Sequence, residues 1–424
     1  MKYRSSKKIF SFLYFSIGSL IAAIFVGLFL LYCVYMLPTA RMRYNVNRSL
    51  TYIQAENDSY MWAPYQKSSA LDGFTDSIML GNAIYESKFS ALHDALVNPR
   101  MEFTPGDTVP VDSLAKYASG ETGGKEVTYA RYWHGYLVLL KPLLLIFSPA
   151  DIRLLNMTAQ FFLGLFALLL AYKKAGYRLA IPFASAMLCL NPISTALCFQ
   201  YTDVYLLTLI FEVILLHFRT DQKAFGYLLF LWLGILVAYF DFLTYPLVSL
   251  GFLLITELLL CQETLPRKLQ RFLRNSASWV IGYGGMWASK WILATLFTEQ
   301  NVIRDALSSA QERTSYSVNS SNISPLLVLK RNIQVYINPS VGFLLLLLCI
   351  GLLYLLIAKK RRLRFRASSI VPFSLCAILP VIWTFLLTNH SMIHPYMTYR
   401  NFAVSAMAIG CIIADCFRQE PRQP

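Results

Sequence analysis

The residues of this chain that could do chemistry fall in five short polar segments separated by long apolar runs. The segments are DGFTD at 72–76, RYWHG at 131–135, QYTD at 200–203, DFLTYP at 241–246 and NHSMIHPYMTYR at 389–400. They offer carboxylates for proton transfer, and imidazole and guanidinium groups for binding an anion. If the apolar runs form bundled helices, we expect all five segments to converge on one cavity.

The carboxylates of the first segment, Asp72 and Asp76, are four residues apart and would share one face of a helix that Thr75 begins. One could act as a general base, or the pair could position a metal ion. Helix capping explains the same spacing, with Asp72 or Thr75 as the N-cap and Asp76 stabilising the helix dipole. Asp203 and Asp241 lie at predicted helix ends, where solvated termini are the plainer explanation.

The last segment is the most specific, because two histidines four residues apart precede an arginine six residues further on. These are His390, His394 and Arg400, and Arg131 of an earlier segment completes the set of candidate phosphate-binding groups. Arginine suits phosphate because its fork of N–H donors matches two oxygens. A zinc site at the two histidines is an alternative, although Pro395 interrupts the helix it would need. A membrane-interface loop, with Arg400 at a lipid headgroup, is another.

Membrane-spanning helices are the elements that must position these segments. The chain has 424 residues, of which 56% are hydrophobic and 14% charged, whereas soluble domains carry about a quarter charged residues. Residues 9–40 carry no charge, and about 20 apolar residues are enough to cross a bilayer. We therefore predict an all-α polytopic membrane protein whose first apolar run is an uncleaved span.

Threading the chain from a cytoplasmic N-terminus gives about ten spans. After the first, the apolar runs lie at 151–171, 179–199, 203–218, 224–240, 246–261, 277–297, 341–358, 369–388 and 402–417. The segments then placed in the cytoplasm carry 21 Lys and Arg residues against three acids, whereas the outer loop 37–135 carries nine against eleven. This distribution follows the positive-inside rule. It explains a net charge of +15 without a nucleic-acid partner, and it places both termini in the cytoplasm and the polar segments outside the cell membrane.

The predicted layout has five parts. They are the N-terminus with the first span (1–36), a first outer loop with interfacial helices (37–150), membrane helices 2–7 (151–297), a second outer loop (298–340), and membrane helices 8–10 with a basic C-terminus (341–424). Residues 135–147 are apolar but short and contain Lys141-Pro142, so we expect an interfacial or re-entrant helix there. Asn191-Pro192 should interrupt the helix that contains it.

In layout and motifs the chain resembles the GT-C class of integral-membrane glycosyltransferases. The resemblance rests on a long outer loop directly after the first span with an acidic motif at 72–76, and on the segments 131–135, 240–246 and 389–400. It implies transfer of a sugar from a polyprenyl-phosphate-linked donor to an envelope glycan, lipid or protein at the outer face. It further implies that Asp72 or Asp76 is the catalytic carboxylate.

The cationic residues would hold the donor phosphate in such an enzyme, and three further residues are expected to support the site. The phosphate-binding candidates are Arg131, His390, His394 and Arg400, and the supporting residues are His134, Asp203 and Asp241. The partners expected are the lipid-linked donor, the acceptor and membrane lipids. No cofactor and no metal ligands are assigned, and a divalent metal ion stays open.

Two other classes of function stay open. A lipid or polysaccharide transporter (flippase) would need a polar path through the bilayer, in which Glu212, Lys290 and the break at Asn191-Pro192 should matter most. The plainer interpretation of Glu212 and Lys290 is a buried ion pair. A non-catalytic envelope-assembly subunit would instead bind a partner through its outer loops.

Overall fold

The computed structural model describes residues 2–103, 110–218, 223–337 and 365–417, with a few single positions between 342 and 354. This part of the chain is mostly helical. The helices of its first half are α1 Lys2–Tyr35, α2 Thr39–Asn47, α3 Leu50–Glu56, α4 Gly73–Ile84, α5 Ala91–Val97, α6 Pro110–Ala118, α7 Leu137–Leu144, α8 Pro149–Ala175, α9 Tyr177–Cys189 and α10 Pro192–Leu197. Those of its second half are α11 Phe199–His217, α12 Lys223–Phe240, α13 Leu247–Leu260, α14 Leu265–Phe297, α15 Val302–Arg313, α16 Pro325–Tyr336, α17 Ala367–Leu386, α18 Thr388–Ile393, α19 Pro395–Thr398 and α20 Ala403–Cys416.

The strands form two small antiparallel pairs within the loops. Strands β1 Pro99–Glu102 and β2 Lys125–Thr128 pair with each other, as do β3 Ser317–Val318 and β4 Ser321–Asn322. Short 3₁₀ turns lie at Lys67–Ser69 and Tyr399–Phe402.

Five helical segments of the described chain are long and apolar enough to cross a membrane. They are Tyr14–Tyr35, Pro149–Ala175, Phe199–His217, Ala367–Leu386 and Pro395–Cys416. Shorter apolar helices lie at Tyr177–Cys189, Gly226–Phe240 and Leu247–Leu260. Large apolar side chains such as Phe25, Phe29, Phe161 and Phe162 are exposed on α1 and α8, as expected where a helix meets lipid. The apolar run predicted at 341–358 lies outside the described residues.

Two irregularities expected from the sequence appear in the structure. Helix α9 ends at Cys189, and Asn191, with a left-handed φ of 58°, caps the separate helix α10 through a 3.3 Å hydrogen bond from the Ser194 amide. The predicted interruption at Asn191-Pro192 is therefore confirmed. Helix α7 has eight residues, about 12 Å of helix, which is too short to cross a bilayer.

The buried Lys141 ties this short helix to its neighbours. Its ammonium donates a 2.7 Å hydrogen bond to the carbonyl of Ala83, near the end of α4, and lies 5.2 Å from the centroid of the Tyr35 ring of α1. A cation at a helix C-terminus is favoured by the helix dipole. Helices α1, α4 and α7 are thus held together by one lysine within an otherwise apolar cluster.

Glycine permits the closest helix contact of the bundle, between α12 and α14. A β-carbon added to Gly234 would lie 2.2 Å from the carbonyl oxygen of Trp279, and one added to Gly282 would lie 2.2 Å from that of Leu231. Small residues at such positions let two helix backbones approach each other, which is the principal means of packing helices in a membrane.

The Gly282→Ala substitution is expected to destabilise the protein by about 1–3 kcal/mol, because the added methyl group must displace backbone of α12. Gly284, two residues away on the same helix, is the matched control, since a β-carbon there meets no atom within 4 Å. Gly284→Ala should be neutral or slightly stabilising. Unfolding of both variants in detergent by SDS titration checks this, and equal stabilities would contradict the packing described.

The buried charges Glu212 and Lys290 do not form the ion pair expected from the sequence. Glu212 accepts a hydrogen bond from the Thr256 hydroxyl. The ammonium of Lys290 donates to the Ala95 carbonyl at 2.8 Å and to Asn98 Oδ1 at 2.9 Å. The ion-pair interpretation is therefore wrong, because α14 directs its lysine to the first outer loop rather than to α11.

Candidate functional site

The five polar segments contact one another in the folded protein, which is part of the convergence expected from the sequence. The contacts that join them are Asp76 with Gln200, His134 with Phe242, Tyr201 with Tyr245, and Leu243 with His390. Segments that lie more than three hundred positions apart in the sequence thus build one polar junction among apolar helices. We call it the polar junction below.

Asp76 joins the first outer loop to the start of α11. Its Oδ2 accepts a 3.1 Å hydrogen bond from the Phe199 amide, and its Oδ1 accepts from the Gln200 amide at 3.1 Å and from Cys198 Sγ at 3.3 Å. Arg153 of α8 lies 3.6 Å from Oδ2. From the sequence we expected Asp76 to stabilise the dipole of α4, the helix that contains it. Its carboxylate instead binds the N-terminus of α11, where the first N–H groups have no partner within the helix.

Burial raises the pKa of the Asp76 carboxyl, and Arg153 and the N–H groups of α11 act against that rise. Both carboxylate oxygens have partners within the protein. This carboxylate therefore has the surroundings of a structural cap, and it is less suited than a carboxylate with a free oxygen to take a proton from a substrate.

Asp72 is the N-cap of α4, as the sequence suggested, but it uses only one oxygen for that purpose. Oδ1 accepts a 3.1 Å hydrogen bond from the Thr75 amide. Oδ2 is buried and has no hydrogen-bond partner within the described part of the chain. Burial raises the pKa of Asp72 to about 7, the Thr75 amide and Arg400 lower it, and Asp76 raises it further. The group can therefore exchange a proton near neutral pH.

Arg400 is fully buried, and its charge acts on the Asp72 carboxyl group. Its Nε donates to the Leu190 carbonyl at 3.0 Å and its Nη1 to the Tyr396 carbonyl at 2.5 Å. The guanidinium lies 3.9 Å from the centroid of the Tyr201 ring. Arg400 Nη2 and the Tyr201 hydroxyl are buried, and neither has a hydrogen-bond partner among the described residues. We name Asp72, Tyr201 and Arg400 the Asp72 cluster. Each of these residues has one buried polar atom without a hydrogen-bond partner among the described residues.

The histidines of the last segment are held as neutral rings. His390 Nε2 lies 2.9 Å from the Leu243 carbonyl, and His394 Nδ1 lies 3.2 Å from the Tyr396 hydroxyl. Burial, together with the charge of Arg313, lowers the pKa of His394 to about 4, and burial lowers the pKa of His390 as well. At neutral pH His394 can still donate a hydrogen bond from Nε2, whereas neutral His390 donates its one N–H to the Leu243 carbonyl and keeps only an acceptor nitrogen. Neither ring supplies the positive charge expected from the sequence.

The two rings lie 5.0 Å apart between centroids, with α18 ending at Ile393 and Pro395 beginning α19. The continuous helix needed for a zinc pair at His390 and His394 is therefore interrupted. Within the described ranges, no group of three or more His, Cys, Asp and Glu side chains is placed to hold a metal ion.

His134 is structural in this arrangement. Its two ring nitrogens lie 3.0 Å from the Tyr136 hydroxyl and 2.8 Å from the Tyr129 carbonyl. Burial lowers the pKa of His134, and Lys290 contributes to this. The ring therefore fixes the backbone of the second polar segment and keeps no nitrogen for a ligand.

The two remaining candidate carboxylates, Asp241 and Asp203, also differ in whether their oxygens have hydrogen-bond partners. Asp241 closes a turn, accepting hydrogen bonds from the Thr244 amide at 3.0 Å and from its hydroxyl at 2.5 Å. Burial raises the pKa of Asp241 to about 6, and Thr244 lowers it. Asp203, in the first turn of α11, is half-buried and has no hydrogen bond or ion pair in the described part of the protein, although Asp241 and Asp76 are its electrostatic neighbours.

Arg131 is attached to the second outer loop and makes no contact with the Asp72 cluster. It pairs with Asp305 at 3.0 Å, donates to the Ser309 hydroxyl at 2.6 Å, and lies 5.3 Å from the centroid of the Tyr129 ring. The contacts of Arg131 therefore do not support the expectation that it binds the same phosphate as Arg400.

Two arginines of the polar junction were missed from the sequence. Arg153 joins Asp76 to Glu56, which it approaches to 2.7 Å. Arg313 donates a 2.5 Å hydrogen bond to the Tyr132 hydroxyl. Arg153 could have been noticed as the one cation in the first turn of an apolar run. Arg313 lies in a polar loop, where nothing in the sequence distinguishes it from its neighbours.

The backbone is strained where the polar segments meet. His134 and Leu243 have φ values of 56° and 69°, a left-handed conformation that costs a non-glycine residue roughly 1–2 kcal/mol. The carbonyl of the strained Leu243 is the partner of His390. Such strain is concentrated at functional sites in proteins, which directs attention to this junction.

In comparisons with known proteins, no family model, no curated protein and no solved structure matches the chain.

Proposed function

We propose that the protein is a membrane glycosyltransferase of GT-C type, which moves a sugar from a polyprenyl-phosphate-linked donor to an acceptor. The observation that carries the proposal is the Asp72 cluster, in which a carboxylate oxygen, a guanidinium nitrogen and a phenol oxygen are each buried without a hydrogen-bond partner among the described residues. The Arg400 guanidinium lies over the Tyr201 ring, and its charge acts on the Asp72 carboxyl group. An unsatisfied buried polar group costs about 1–3 kcal/mol. A buried polar group without a partner calls for an explanation, such as a catalytic role or a bound ion or water molecule.

The unused atoms define the ligand by their chemistry. The Asp72 carboxylate accepts a hydrogen bond, which suits a hydroxyl group. Arg400 Nη2 only donates and carries positive charge, which suits a phosphate oxygen. A ligand that offers both hydroxyl and phosphate is a phosphate-linked sugar with its acceptor, and the lipid tail of such a donor accounts for building the site among membrane helices.

The reaction then needs one proton transfer and one charge stabilisation. The acceptor hydroxyl oxygen attacks the anomeric carbon of the donor sugar, and its proton passes to Asp72 Oδ2. The bond between that carbon and the phosphate oxygen breaks, and the polyprenyl phosphate leaves with the electron pair. Arg400 stabilises the charge of the leaving phosphate, while Asp76 and Arg153 hold α4 against α11.

We place the reaction at the outer face of the cell membrane of a bacterium. The five helices that can cross a membrane support a multi-pass protein. The chain we propose has about ten spans and cytoplasmic termini, because the cationic segments 172–178 and 262–274 then lie in the cytoplasm, as the positive-inside rule requires. The acceptor would be a glycan, lipid or protein of the envelope.

Deleting the encoding gene is expected to remove one sugar from an envelope glycan and to make its lipid-linked donor accumulate. Mass spectrometry of envelope glycans and lipid-linked sugars, in the deletion strain with and without the wild-type protein, checks this. Because transfer consumes the donor, the two changes should occur together and should both be reversed by the wild-type protein. Unchanged glycan composition would contradict the proposal and favour a transporter or an assembly subunit.

A further inference from the structure

A cavity lies where the two outer loops meet, and we propose that it binds a neutral saccharide. The inference rests on the proposed function, in which this saccharide belongs to the acceptor. The cavity has a volume of about 250 Å³ and is lined mainly by Thr128, Tyr129, Arg131, Gln300, Asn301 and Asp305.

Hydrogen bonds across the cavity hold its walls in place. Gln300 Nε2 donates to the Thr128 hydroxyl at 3.0 Å, Arg131 pairs with Asp305 at 3.0 Å, and Trp291 Nε1 donates to the Arg131 carbonyl at 2.9 Å. The two outer loops therefore form one preorganised surface, and a ligand would bind without having to order them.

The lining residues match a sugar better than an ion. Arg131 and Asp305 neutralise each other, so the cavity has no net charge to attract an anion or a cation. Around them stand a hydroxyl, two amides and the tyrosine ring of Tyr129. Hydroxyl groups of a sugar can both donate to and accept from such groups, and the C–H face of a sugar ring packs on an aromatic side chain.

The size limits the ligand to about one sugar ring. Sites for drug-sized ligands occupy about 300–1,000 Å³, and this cavity is somewhat smaller. It is also open to solvent, since the side chain of Asp305 is 54% exposed, so that a longer glycan could continue outwards from the bound ring.

Tyr129 connects the cavity to the polar junction. Its carbonyl lies 2.8 Å from His134 Nε2, and its ring packs against Phe242 with 5.9 Å between centroids. A saccharide in this cavity would therefore lie next to the segments that contain Asp241 and His134, which belong to the same polar junction as the Asp72 cluster.

Saturation-transfer NMR on the full-length protein in detergent tests the inference, with an equimolar mixture of methyl glycosides of glucose, galactose, N-acetylglucosamine and rhamnose as the probe. We expect saturation of at least one glycoside at millimolar concentration. Asp305→Asn and Gln300→Leu should each weaken its binding about tenfold or more. Glu312→Gln, an exposed change on the same helix as Asp305, is the control and should bind as the wild type does.

Absence of saturation from every glycoside, or equal binding by all variants that keep the wild-type unfolding temperature, would overturn the saccharide site. This measurement involves no turnover. A negative result therefore leaves sugar transfer untouched, whereas normal envelope glycans in the deletion strain would refute transfer without affecting saccharide binding.

Discussion

Asp72→Asn is expected to lower the rate of sugar transfer by about 10²–10⁴-fold, the usual contribution of a general base, while the protein still folds. The amide keeps an oxygen that can accept from the Thr75 amide at the N-cap. What it removes is the proton-accepting function of the buried Oδ2. Because the two side chains have nearly the same shape, a loss of activity is then attributable to proton transfer.

Transfer of labelled sugar in membrane vesicles from complemented strains measures this effect. Asp112→Asn is the matched control, because Asp112 is an exposed carboxylate of the same outer loop. It should retain wild-type activity. Wild-type rates in the Asp72→Asn vesicles, with equal protein levels, would remove Asp72 from the mechanism.

The same carboxyl group should set the pH dependence of the reaction. A general base works only when deprotonated, and burial raises the pKa of Asp72 to about 7. We therefore expect the wild-type rate to increase with pH up to about 7 and to fall tenfold per pH unit well below it. The residual activity of Asp72→Asn should not show this decrease at low pH. A wild-type rate that is constant between pH 5 and 8 would contradict the role of Asp72 as the general base.

Asp76→Ala is expected to be the most destabilising single change at the polar junction. It removes both backbone hydrogen bonds at the start of α11 and the ion pair with Arg153. Hydrogen bonds to charged groups contribute about 1.5–3 kcal/mol each, so we expect a loss of about 3 kcal/mol or more. The loss of activity would then follow from displacement of α4, which carries Asp72 at its N-cap.

SDS titration of the purified variant checks this stability. Asp151→Ala is the matched control, since Asp151 stands in a capping box at the start of α8 but is only half-buried. The loss of stability on removing it should be clearly smaller. A stable Asp76→Ala protein without transfer activity would instead assign Asp76 a direct catalytic role, as the sequence had left open.

Much of the local structure could be predicted because its causes lie within a few neighbouring residues. Long uncharged runs predict apolar helices, and Asn191-Pro192 predicts a break because proline lacks the N–H that a helix needs. The N-cap role of Asp72 likewise depends on an amide only three residues away. The short helix at Leu137–Leu144 follows from an apolar run too short to span a bilayer.

What only the tertiary structure decided is which distant groups face each other. Asp76 caps a helix that begins more than a hundred residues later, and Lys290 binds the first outer loop instead of Glu212. No local pattern records such pairings, because they depend on how the helices are arranged and which end of each side chain is buried. By itself the sequence determined a helical membrane protein with five polar segments; their assembly, and the atoms left unpaired within it, depend on packing between helices far apart in the chain.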